Sequence, residues 1–168
     1  YIDPENSDIE IIFEEIENDL VIIKDELGFV YWPTFALNNI YNISIGKGYQ
    51  VKMSSTNDLI VTGDILSYDT PLNLIGGWNI IGYLHTEPYN AENMMETMVN
   101  NIIIMKDELG NVYWPTFALN GIGNMQPGKG YQIKLAGSYT FSYPSGNEGA
   151  RFGDFYTERP IHFDQPTN

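Results

Sequence analysis

The chain has 168 residues, 43% of them hydrophobic and 14% aromatic. That is enough apolar material for a packed core; it excludes a disordered composition and favours strands. Lys and Arg number 8 against 22 Asp and Glu, a formal net charge of −14 that argues against nucleic-acid and membrane-surface partners. No run approaches the roughly 18 uninterrupted apolar residues of a membrane span, and the lack of Cys excludes disulfides and thiolate metal sites.

In chain order, Ser7 or Asp8 is a candidate N-cap for a helix whose Ile9, Ile12, Phe13, Ile16 and Leu20 follow a helical apolar stripe. Leu20–Lys24 and Val30–Trp32 flank Asp25-Glu26-Leu27-Gly28, a hairpin with Gly28 suited to the left-handed position of its turn. After Pro33 an irregular loop leads to Gly46-Lys47-Gly48 and an alternating strand, Tyr49–Met53. Leu59–Val61 reads as a last strand that closes the unit. Gly77–Leu84 is an apolar run bounded by turn-prone His85-Thr86-Glu87-Pro88, hence a buried strand, and Asn90 is the cap of a second helix carrying Met94, Met95 and Met98.

The order then recurs. Val21–Met53 aligns without gaps on Ile103–Leu135 at an offset of 82, with about 23 identities in 33 pairs. The register extends back so that Ile12, Phe13 and Ile16 fall opposite Met94, Met95 and Met98, and Tyr1 opposite Tyr83. The predicted fold class is α+β: a tandem duplication of a small antiparallel-sheet unit, strand–helix–hairpin–strand–strand, of about 82 residues per repeat. The expected units are 1–70, lacking its opening strand, and 71–145, with Tyr139–Tyr143 as the second unit's last strand. Residues 146–168 read as an extended linker or strap, with a short strand over Arg159–Phe163. The chain is expected to be a piece of a longer protein, beginning inside a unit and continuing past Asn168.

The candidate chemistry is sparse. Gly46-Lys47-Gly48 and Gly128-Lys129-Gly130 hint at a phosphate cradle, but Tyr49 and Tyr131 follow where a phosphate loop needs Ser or Thr opening a helix. Lys-Asp-Glu-Leu at 24–27 and 106–109 is internal, so it is a hairpin rim rather than a retention address. All six Lys are twinned at the offset of 82, which suggests local charge partners or stems covering apolar surface. Carboxylates are plentiful near the start, at Asp3, Glu5, Asp8 and Glu10, without the spaced calcium loop. His85 and His162 are not retained between the copies, and no nucleophile elbow occurs. No catalytic residue, metal site or cofactor is expected.

The candidate ligand-binding residues are Tyr31, Trp32, Tyr113 and Trp114, in the twinned Tyr-Trp-Pro segments. Their aromatic faces suit stacking on sugar rings, and two copies would add avidity. Equally, Val30 and Trp32 share one strand face, and a Trp beside a β-branched residue suits a core. Both readings stand at this point.

The strings Gly77-Trp78-Asn79-Ile80-Ile81-Gly82-Tyr83-Leu84, Val112-Tyr113-Trp114-Pro115 and Gly128-Lys129-Gly130-Tyr131-Gln132-Ile133-Lys134 resemble a repeat module of large secreted and cell-surface proteins of marine and gliding bacteria. Similar strings belong to virion proteins of marine phages. The resemblance covers most of 77–143 and, without the opening strand, 1–61. It implies extracellular, cell-surface or virion exposure and a structural or adhesion role, and it transfers no catalytic residue. Asn39 and Tyr41 stand where the second unit has Gly121 and Gly123, so the first unit's loop is expected to differ in shape. The function expected is therefore a non-catalytic structural or adhesion repeat module of a larger surface assembly; the alternative is a carbohydrate-binding module using the Tyr-Trp-Pro segments. Expected partners are other copies or neighbouring domains of the assembly, with glycans as the alternative.

Overall fold

The computed structural model describes residues 2–146 and 158–163. These fall into two compact units: one holds 46–48 and 66–146, the other 2–45, 49–65 and 158–163. The fold is β-rich with few helical turns.

In the unit spanning 66–146, a five-stranded antiparallel sheet runs in the order Leu119–Asn120, Val112–Trp114, Ile102–Lys106, Gly130–Leu135 and Gly77–Gly82. Period-two alternation decides its two faces. Met105, Tyr113, Tyr131, Ile133, Leu135 and Ile81 point into the core, against Met94, Met95 and Met98. Leu72–Leu74 pairs separately with Tyr139–Phe141. In the other unit a four-stranded sheet runs Leu37–Asn38, Val30–Trp32, Leu20–Lys24 and Gln50–Met53, with Ile23, Tyr31 and Met53 turned onto Ile9, Phe13 and Ile16. Burying side chains of this size stabilises by roughly 1.5–3 kcal/mol each.

Helix stop and start signals are mostly where the residues place them. Asp8 caps the helix Ile9–Phe13 by accepting from the Glu10 N–H, and Asn90 caps Ala91–Met94 by accepting from the Glu92 N–H. The continuous helix expected from Ile9 to Leu20 does not form. After Phe13, at φ −99° and ψ 5°, the chain tightens into a 3-10 stretch, Glu14–Asp19. Four acids, Glu14, Glu15, Glu17 and Asp19, would have sat at the negative end of one long helix, with no base in its last turn to offset them.

The last strands also differ from expectation. Neither joins the main sheet of its unit. Tyr139–Phe141 lies in its own two-stranded sheet, and Leu59–Val61 is part of a longer strand, Asn57–Ile65. That strand lies between Ile2–Pro4 and Glu158–Phe163, with His162 opposite Asp58. A strand over Arg159–Phe163 thus forms; the linker expected over the rest of 147–168 lies outside the described residues.

Two turns show how backbone conformation is held. Gly28 (φ +87°) and Gly110 (φ +85°) take the left-handed position of the hairpin turns. There Asp25 Oδ1 accepts from the Leu27 and Phe29 N–H groups, and Asp107 Oδ1 from those of Leu109 and Asn111. The loop at Tyr41 does not differ as expected from that at Gly123. Tyr41 holds φ +59° and Gly123 φ +69°, and each carbonyl accepts from the first helical N–H, that of Ile9 or Ala91. Asn38 and Asn120 hold the two loops by accepting from the N–H groups of Tyr41 and Gly123. That side-chain bond imposes the left-handed turn on a tyrosine.

Candidate functional site

The Tyr-Trp-Pro segments split into a buried and an exposed half. Tyr31 and Tyr113 are core residues, each 3% exposed. Tyr31 donates its hydroxyl to Glu17 Oε1 at 2.8 Å. Burial, aided by that carboxylate, pushes the Tyr31 phenol well up; burial does the same for Tyr113, with Glu92 adding to it. Neither ring is available as a stacking face. Alternation does put Val30 and Trp32 on one face, but it is the outer one: Trp32 is half-buried and Trp114 is 37% exposed.

The backbone after each Trp was not readable from residue type. Pro33–Phe35 and Pro115–Phe117 form 3-10 turns, closed by Ala36 and Ala118 in left-handed conformation at φ 50° and 49°. Alanine carries a steric penalty there of about 1–2 kcal/mol. The turn folds Phe35 back onto Trp32, edge to face at 4.5 Å, and Phe117 onto Trp114 at 4.6 Å. Both Phe rings are 67% exposed. Each unit therefore carries a projecting Trp–Phe wedge, with Leu37 opposite Trp32 and Leu119 opposite Trp114.

In the unit spanning 66–146 the wedge ends a row across the outer sheet face. Trp114 lies opposite Leu119, Ile104 opposite Lys134, and Lys134 opposite Trp78. Continuing the Met105–Tyr113 register by one residue brings Ile104 beside Trp114. Trp78 and Trp114 thus share a face three strand spacings apart, roughly 14 Å. The Nζ groups of Lys106 and Lys134 lie 5.2 and 5.8 Å from the Trp78 ring centroid. Such contacts contribute about 0.5–1 kcal/mol each at exposed sites. Lys129 pairs with Glu108 at 2.8 Å. All three lysines between residues 66 and 146 therefore have local partners.

Two further clusters are structural in geometry. His85 is buried, stacked on Tyr68 at 4.7 Å and edge-on to Tyr89 at 4.9 Å, and its Nε2 bonds the Pro144 carbonyl at 2.9 Å. That bond requires the proton on Nε2, and burial lowers the imidazole's proton affinity. Asn79 is buried too. Its amide donates to the carbonyls of Ile75 and Gly77 and accepts from the Ile75 N–H, holding the turn into Gly77–Gly82. Sequence reading missed this role; an Asn alternating with buried Ile81 on an otherwise apolar strand was the available signal.

Of the acids near the start, Glu5 lines an open groove of about 250 Å3 in its own unit, with Glu14 and Glu15 beside Ile11 and Ile60. Among the described residues, no group of three or more His, Asp or Glu could hold a metal ion. Among them, too, no helix is long and apolar enough to cross a membrane, which says nothing of a β-barrel. No family model, no curated protein and no solved structure matches this chain.

Proposed function

We propose that the chain is a non-catalytic structural and adhesion repeat module of a larger extracellular or virion surface assembly. In this reading it is a tandem duplication of a unit of about 82 residues, with repeats at 1–70 and 71–145 and a linker or strap at 146–168. The observation that carries it is what the polar residues alike in both copies are doing. Asp25 and Asp107, and Asn38 and Asn120, bond backbone groups of turns, while the Phe ring of the wedge, with Leu27 or Leu109, is among the apolar groups exposed in both copies. Residues kept for folding and for a contact surface suit a module that spaces, displays or joins other parts. Brief protease treatment of intact cells or particles that carry the protein tests its location. The reading expects peptides of this chain among those shaved from the surface. Recovery only after lysis would overturn it.

The carbohydrate-binding alternative is favoured by one observation, the cross-strand row of Trp114, Ile104, Lys134 and Trp78. Two indoles on one face suit an extended sugar chain better than a single ring. The expected outcome is glycan-array binding by the full chain that Trp114→Ala abolishes with little change in melting temperature. An array silent for the unsubstituted chain would remove this alternative.

A further inference from the structure

The outer row of the unit spanning 66–146 is apolar at one end and cationic at the other. Trp114 stands exposed at the apolar end, with Phe117 edge-on against it. At the other end Lys106 and Lys134 both hold Nζ near the Trp78 ring, 5.2 and 5.8 Å from its centroid. Lys106 lies opposite Gln132 and Lys134 opposite Ile104, which makes the two lysines diagonal neighbours, about 7–8 Å apart, on one sheet face. Like charges so placed repel each other. The acids that follow Lys106 are engaged elsewhere: Asp107 accepts from the N–H groups of Leu109 and Asn111 and from the Asn111 side chain, and Glu108 pairs with Lys129. The indole offsets part of the repulsion, and an anion set between the two ammonium groups would offset more.

We propose that this row binds an acidic polysaccharide, one whose pyranose rings carry uronate carboxylates. A ring stacks by its apolar CH face on Trp114, and a carboxylate farther along the chain sits between the ammonium groups of Lys106 and Lys134. Trp78 acts as a positioning residue that holds the two lysines over its face. The two indoles are roughly 14 Å apart, so the ligand is an extended chain of several rings and not a monosaccharide. A uronate suits the lysine pair better than a sulfate ester because its oxygens are the more basic acceptors for an ammonium group. The net charge of −14 opposes an acidic ligand at long range, but salt screens charges beyond about 8 Å at physiological ionic strength, so the local pair decides. The inference rests on the carbohydrate-binding alternative and names the class of glycan it takes.

The test titrates the full chain calorimetrically with a galacturonate tetramer and with the same tetramer reduced at its carboxyls to neutral galactose. The acidic tetramer is expected to bind about tenfold more tightly, and that ratio should fall towards one as salt is raised. Lys106→Gln combined with Lys134→Gln is expected to erase the ratio, with the melting temperature checked alongside. A charge-matched control, Lys47→Gln combined with Lys129→Gln, is expected to keep it. Equal affinity for the two tetramers would overturn the proposal and leave the carbohydrate-binding alternative standing. No binding of either tetramer would overturn both. A ratio that survives the Lys106 and Lys134 substitutions, or one that salt leaves unchanged, would also overturn the proposal, as would tighter binding of a sulfated galactose tetramer than of the galacturonate.

Discussion

One core is filled with methionine where the other uses branched and aromatic side chains. Met94, Met95, Met98, Met105 and Met125 stand in the unit spanning 66–146, and Ile12, Phe13, Ile16, Ile23 and Ile43 occupy the positions 82 earlier. Behind them the backbone marks agree: an Asx-type cap, a left-handed glycine in the hairpin turn, a left-handed alanine after the wedge. Met is unbranched and adapts to irregular space, whereas Ile and Phe demand a matching shape. The difference teaches that polar ties to the backbone determine the conformation here and that the apolar filling is interchangeable within its volume.

That comparison can be broken most forcefully by emptying the two cores. Phe13→Ala and Met95→Ala are each expected to cost about 2–5 kcal/mol in denaturant unfolding. Similar losses would fit equivalent roles; a near-neutral Met95→Ala would mean that the methionine core is loosely filled. Next come the ties. Asn101 accepts from the Gly137 N–H and donates to its carbonyl, at 3.0 and 2.9 Å. Asn101→Ala should cost about 1–3 kcal/mol by the same measurement. Asp19, 82 positions before Asn101, accepts from the side chains of Ser55 and Asn57, which hold its carboxyl below the usual range. Asp19→Ala should cost less, because those partners can turn to water.

Exchanging the fillings sharpens the point at smaller cost. Ile23→Met and Met105→Ile are each expected to change stability by less than about 1.5 kcal/mol, with unchanged cooperativity in calorimetry. Tyr41→Gly relieves a left-handed tyrosine, partly offset by a more flexible unfolded chain, and should stabilise by up to about 1 kcal/mol. The smallest effect is that of pH on one unit alone. His85 is harder to protonate folded than unfolded, so its contribution is intact above the ordinary histidine range near 6.5 and is lost as pH falls below it. Melting temperature should therefore decline between pH 7 and 5, and His85→Gln should flatten that decline.

Much of the local structure was legible. Asp8 and Asn90 are caps because their side-chain oxygens reach the first free N–H groups, and Gly28 and Gly110 are turn residues because left-handed backbone costs glycine little. The alternation expected over Tyr49–Met53 gave a strand that starts one residue later, Gln50–Met53. The left-handed Ala36 and Ala118 were not legible, since nothing in an alanine announces positive φ, and so the projection of Phe35 and Phe117 was missed. The face of Trp32 was left open because alternation shows which residues share a face and not which face is buried; neighbouring Tyr31 took the core. The 3-10 stretch at Glu14–Asp19 was concealed because an apolar stripe of helical period survives in a tighter coil over one turn.

The pairing of Glu158–Phe163 with Asn57–Ile65 sets an order of events during translation. Its His162–Asp58 contact, 2.6 Å long, joins positions 104 apart in the chain. The unit spanning 66–146 has all its described strands once residue 146 has emerged from the ribosome, whereas the unit containing the amino-terminal residues waits for the far end to arrive. A released chain truncated between residues 146 and 158 should accordingly protect 66–146 from protease while the edge of 57–65 stays open to cleavage.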